Sequence, residues 1–199
     1  MSNLSSLKTY FYRRPRDELL RLCRWGPYAY LRCSAWAAAM EEAAYKLPKL
    51  YPTTIPNEPP LEVWFLTGNR FWYQTAFCAW SLARQSNRQL ILNLVDDGTL
   101  QPCHESHLRY LFPSGLTRWK DLVEHDLEHN LPIERFPILR KRWSDYINIR
   151  KLTDVHLGSR GIKLVLDSDM LFFHRPDKLL EWWHNPCRPC LMADCEESY

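Results

Sequence analysis

Glycine is scarce in this chain: six residues among 199, against fourteen prolines. No Gly-x-Gly-x-x-Gly fingerprint and no phosphate-cradling P-loop is present, since both need several glycines for close backbone approach to a phosphate. A nucleophile elbow is also missing. Charge of one sign is lacking too. The net charge of +3 is too small to argue for a nucleic-acid partner, and none is expected. The basic residues are scattered apart from Arg13-Arg14-Pro15-Arg16 and Arg140-Lys141-Arg142. Such short clusters read as solvated faces. No apolar run approaches the length that crosses a membrane. The chain opens polar, then basic, so no secretory signal is read there. The seven cysteines are therefore expected to be reduced thiols in a cytoplasm.

What is present fits a globular domain. Hydrophobic residues make up 46% and charged residues 25%, enough for one substantial core. Residues 1–47 read as a helical extension: Asp17–Leu22 and Ser34–Lys46 are rich in helix formers. Aromatics, among them Tyr10, Phe11, Tyr12, Trp25, Tyr28, Tyr30 and Trp36, stand beside basic residues there. An extra helical layer is the plain reading; a peripheral contact with a membrane surface is the alternative. Residues 48–60 form a proline-rich linker.

From residue 61 the pattern changes. Leu61–Leu66, Gln89–Val95 and Gly161–Leu166 read as strands, each nearly continuous in apolar residues. Helices are expected over Phe71–Gln85, 103–112 and 117–130, and one longer helix over 137–157. Leu191–Asp194 reads as a further strand. Strands alternating with helices predict a parallel α/β sheet buried on both faces. Ligands of such sheets bind beyond the carboxyl ends of the strands. Those ends carry Thr67-Gly68-Asn69, Asp96-Asp97-Gly98 and Asp167-Ser168-Asp169, which should converge on one edge.

Asp167-x-Asp169 offers two hard oxygen donors suited to Mg²⁺ or Mn²⁺. The spacing alone is cheap, because at roughly 5% Asp a chain this long has about an even chance of it. Its position says more: Leu164-Val165-Leu166 precedes it and Met170-Leu171-Phe172-Phe173 follows. Carboxylates pinned between apolar segments need a partner or a metal.

The segment Lys163–Pro176 resembles the apolar-Leu-Asp-x-Asp-apolar stretch of GT-A-fold glycosyltransferases, particularly the family-eight-like group. Val63–Trp72 is similar to their first strand and nucleotide loop, Leu94–Gly98 to their second-strand turn, and Tyr146–Leu152 to the helix ahead of the motif. The resemblance covers roughly residues 61–199. It implies a Rossmann-like GT-A domain that takes a nucleoside diphosphate sugar, UDP-linked, with Mn²⁺ or Mg²⁺, and passes the sugar to an acceptor the sequence does not name. Carried over by position, Asp169 would ligate the metal and Asp167 the metal or the ribose. Thr67, Gly68 and Asn69 would approach the nucleotide, Asp96 or Asp97 the base or ribose, and Lys151 the donor sugar or phosphate. Two departures stand out: Gly68-Asn69-Arg70 replaces a loop that often carries acidic residues, and Lys151 stands where Arg is more usual. Thirty residues follow Asp169, so the expectation is a donor-binding portion that lacks its acceptor half and does not turn over alone. The alternatives are a non-catalytic nucleotide-sugar-binding or scaffold protein, and a sugar nucleotidyltransferase or phosphatase-type hydrolase.

Other motifs are weaker. Phosphatases of the haloacid-dehalogenase type also place Asp-x-Asp after a strand, but here Met170-Leu171 follows and Val95 stands where the Asp97-Gly98-Thr99 turn would need a nucleophile. Cys187, Cys190 and Cys195 with His184 make half a zinc site on paper; a cysteine- and proline-containing loop is the preferred reading. His104-Glu105-Ser106-His107 is one residue short of a zinc-protease motif. His125 and His129 sit at i and i+4 among acidic residues and read as a solvated face.

Overall fold

The computed structural model describes residues 14–51, 58–158 and 160–190. The chain divides into two compact units, Met1–Lys46 and Leu47–Tyr199. In the first, α1 spans Arg14–Tyr45 and joins the two helical stretches expected there. It kinks at Gly26, whose φ of 78° interrupts the helix just ahead of Pro27. Both residue types disfavour a straight helix at this point. Arg32 lies over the rings of Tyr28 and Trp36, the latter at 4.2 Å. The expected aromatics at Tyr10, Phe11 and Tyr12 lie outside the described residues.

The second unit is α/β. Its strands are β1 (Leu61–Thr67), β2 (Leu90–Asp96), β3 (Thr117–Arg118) and β4 (Leu164–Val165). They form one sheet in the order β3-β2-β1-β4, and every pairing is parallel. The expected parallel sheet is therefore present. The helices are α2 (Trp72–Ser86), α3 (Pro102–Leu111), α4 (Lys120–Asn130), α5 (Pro137–Asp145), α6 (Ile149–His156) and α7 (Asp177–His184).

Pleating explains how the sheet is covered. Side chains alternate along a strand, so Leu61, Val63 and Phe65 share a face with their register partners Leu90, Leu92 and Leu94. All six are buried. Helix α2, which packs on β1 and β2, contributes buried Trp72, Ala76, Ala79, Leu82 and Ala83. On the opposite face Trp64 and Val95 join Val123 and Leu127 of α4 and Val155 of α6 in one buried cluster. Burying side chains of this size stabilises by about 1.5–3 kcal/mol each.

Three expectations need correction. The helix expected over 117–130 begins with a strand. Gly115, at φ 123°, lets the chain pass within contact of the Leu92 carbonyl, and a Cβ there would sit 2.0 Å from that oxygen. Asn93 Oδ1 then accepts from the Leu116 amide at 3.0 Å and sets the register of β3. The helix expected over 137–157 is two helices. Tyr146 is extended at φ −134°, and the run Ile147-Asn148-Ile149 has low helix propensity. The third expected strand pairs over two residues only, Leu164–Val165, with one further bond from the Leu166 amide to the Trp64 carbonyl. The expected strand at Leu191–Asp194 lies outside the described residues, as do residues 52–57 of the expected linker.

Candidate functional site at the strand ends

In the order β3-β2-β1-β4 the chain steps outward from β1 through β2 to β3 on one side, then crosses back to place β4 on the other side of β1. Such a reversal opens a crevice at the carboxyl ends of the two strands. Thr67 stands level with Asp96 across the β1–β2 ladder, and the bond from Leu166 to Trp64 brings the Asp167-Ser168-Asp169 turn to the same edge. The three predicted ligand-type turns therefore meet. A cluster of hydroxyls joins two of them. Thr75 Oγ, in the first turn of α2, lies 2.8 Å from Thr67 Oγ and 2.9 Å from Ser168 Oγ.

Gly68 leaves room for the side chain that stands above it. A Cβ at this position would fall 2.0 Å from Asp97 Oδ1. The Asp97 amide donates to the Thr67 carbonyl at 2.9 Å, which fastens the β2 turn to the end of β1. Asp97 Oδ1 accepts from the Thr99 amide and hydroxyl at 2.9 and 2.6 Å. The Thr99 hydroxyl in turn accepts from the Asn69 amide at 3.0 Å. Burial pushes the Asp97 carboxyl above the ordinary carboxylate range, and the Thr99 bonds pull it partly back. Asp96 has a different task. Its Oδ1 accepts from the amides of Gly98 and Leu100 at 2.7 and 2.9 Å, and its Oδ2 from the backbone amide of Lys120 at 3.3 Å. Of the two expected candidates, Asp96 is committed to shaping the turn, and Asp97 is the one that leans over Gly68.

Asp167 and Asp169 are both exposed. Lys151, near the start of α6, forms an ion pair with Asp167. Both carboxylates also act on Cys78, a buried residue of α2. Burial, then Asp169 and Asp167, push its thiol up to about 12. Among the described residues, no three His, Cys, Asp or Glu side chains converge so as to hold a metal ion. Asp167 and Asp169 are two hard oxygen donors, fewer than an all-protein cage supplies. Cys187 and Cys190 are free and exposed, and Cys195 lies outside the described residues. His125 and His129 lie on the exposed side of α4. His104 stacks on Trp72 at 4.6 Å.

Sequence reasoning passed over the residues that hold the site together. Arg150, beside Lys151, is buried. Its Nη1 and Nη2 donate to the Asp97 and Asp96 carbonyls at 2.7 and 3.0 Å, and its Nε to Asp154 at 2.7 Å. Asp154 is fully buried and also accepts from Trp143 Nε1 and the Thr153 hydroxyl. The i, i+4 spacing of Arg150 and Asp154 was a usable signal; their shared burial was not. No described helix is long and apolar enough to cross a membrane. Compared with known proteins, the chain matches no family model, no curated protein and no solved structure.

Proposed function

We propose that the crevice between β1 and β4 binds a nucleoside diphosphate sugar, UDP-linked, and that the domain is the donor-binding part of a GT-A-type glycosyltransferase using Mn²⁺ or Mg²⁺. The observation that carries this reading is the meeting of a glycine notch, a half-buried carboxylate and an exposed Asp-x-Asp at one topological switch point. In this reading the backbone at Gly68 and Asn69 lets the nucleotide approach closely. Asp97 accepts hydrogen bonds from the base or ribose. Asp167 and Asp169 hold the cation, which when bound neutralises charge on the departing diphosphate. Lys151 stands beside Asp167, within the same crevice, to meet a donor phosphate or sugar hydroxyl. Arg150 keeps the carbonyls of the β2 turn in place without touching the ligand.

The test is calorimetric titration of UDP into the protein with and without Mn²⁺. Binding that needs Mn²⁺ and is lost in Asp169→Ala supports donor recognition. Absence of binding in wild type sinks it. Release of UDP from UDP-glucose or UDP-galactose would separate an enzyme from a binding protein.

A further inference from the structure

The hydroxyl cluster at the crevice floor admits a proton count. Thr75 Oγ lies 3.2 Å from the Phe71 carbonyl as well as near Thr67 Oγ and Ser168 Oγ. One hydroxyl has one proton and two lone pairs. A carbonyl can only accept, so the consistent assignment gives the Thr75 proton to Phe71, with Thr67 and Ser168 donating to Thr75. Thr75 is fully buried and Thr67 almost so; water is not available to replace either bond. Ser168 is half-buried and lies between the two exposed carboxylates. With its proton turned inward, it offers lone pairs outward. The side chains of Asp167, Ser168 and Asp169 then present lone pairs toward the crevice, suited to a cation and to ligand hydroxyls.

We propose that Thr75 is a positioning residue: by accepting from Thr67 and Ser168 together, it locks the end of β1 to the Asp-x-Asp turn and sets the polarity of Ser168. Thr75 itself touches no ligand. The inference deepens the donor-binding reading and rests on it. Thr75 Oγ is the single atom through which Thr67 and Ser168 are bridged.

Three variants test it by Mn²⁺-dependent UDP titration alongside thermal unfolding. Thr75→Val keeps the shape and removes the hydroxyl, and should weaken UDP binding about tenfold, the effect of one to two hydrogen bonds. Thr75→Ser restores the hydroxyl and should bind within about threefold of wild type. Ser86→Ala deletes another buried hydroxyl of α2, one that donates to the Leu82 carbonyl at 2.6 Å. It should lower thermal stability while leaving UDP affinity unchanged. If Thr75→Val does not fold, Ser168→Ala carries the test from the other end and should weaken binding similarly. Wild-type affinity in Thr75→Val, or equal loss in Ser86→Ala, overturns the positioning role and leaves donor binding standing. Failure of wild type to bind UDP overturns both.

Discussion

Two buried arginines sit at opposite ends of the same sheet, and they are held differently. Arg150, at the carboxyl edge, has each of its three nitrogens on a partner: Asp154, the Asp97 carbonyl and the Asp96 carbonyl. Its guanidinium also lies 4.8 Å from the Trp143 ring. Arg88 follows Asn87, whose left-handed φ of 52° ends α2 and turns the chain into β2 at the amino edge. It pairs with Glu58, but its Nε and Nη2 have no hydrogen-bond partner among the described residues. Burial, and then the like charge of Arg175, lower its pKa. A cavity of about 240 Å³ lined by Leu50, Tyr51, Leu90, Leu111 and Phe112 opens beside it. The contrast teaches that a buried cation is a fixture only when its donors are used. At the carboxyl edge the charge organises a turn; at the amino edge two of its donors are unused among the described residues.

The comparison can be broken most directly at Arg150. Arg150→Met leaves Asp154 buried with only neutral donors and frees both turn carbonyls. Losing one partner of a fully buried ion pair costs about 3–5 kcal/mol. Urea unfolding should show a loss of that size, and Mn²⁺-dependent UDP binding should weaken with it. A loss under about 1 kcal/mol would mean that Arg150 does not hold the turn.

Gly68→Ala comes next. The added methyl meets a carboxylate that Thr99 holds in place. Either Asp97 swings out or the loop shifts, and overpacking of this kind costs about 1–3 kcal/mol. Pairing the change with Thr99→Val should reduce the penalty, because Asp97 then loses the hydroxyl bond and keeps only the Thr99 amide. Additive losses in the double variant would show that the Thr99 hydroxyl does not restrain it. Arg88→Met should have a smaller effect, no more than about 1 kcal/mol, because removing a poorly satisfied buried charge relieves its desolvation. Glu58 is left 26% exposed and can take water. UDP binding should not change. An Arg88→Met loss as large as that of Arg150→Met would erase the distinction between the two edges.

The sheet was legible in the sequence because its two long strands are nearly continuous in apolar residues, Glu62 and Asn93 aside, and end in turn residues. Their two-sided burial leaves no period to misread. The short strand at Thr117–Arg118 was not legible. It is fixed by contacts distant in the chain: Arg109 donates to the Leu92 carbonyl and to the Thr117 hydroxyl, each at 2.7 Å. The break at Tyr146 was hidden for the opposite reason, since the charged helix before it and the amphipathic one after it run together in composition. Among site residues, the turns at Thr67-Gly68, Asp96-Asp97 and Asp167-Asp169 stood out by chemistry and position. What could not be read was the division of labour within them. Asp96 and Asp97 are identical side chains one residue apart, and only the fold decides that one caps backbone amides while the other overlies Gly68.

That division gives the smallest and most specific prediction. The Asp97 carboxyl titrates above its ordinary range because it is buried, against the pull of Thr99. Between the ordinary carboxylate range and the raised value, the folded protein holds a proton that the unfolded chain has released. Stability therefore falls as pH rises through that window, and is unaffected by this group above or below it. Asp97→Asn keeps an oxygen that accepts from the Thr99 amide and hydroxyl but cannot ionise. The difference in Tm between Asp97→Asn and wild type should be flat at low pH. It should then grow in favour of the variant across the window and level off above it. Taking the difference cancels the contribution of groups that do not interact with position 97. A difference that shifts in favour of wild type as pH rises would mean that Asp97 is stabilised as an anion by its neighbours, and would assign both aspartates to the turn and neither to the crevice.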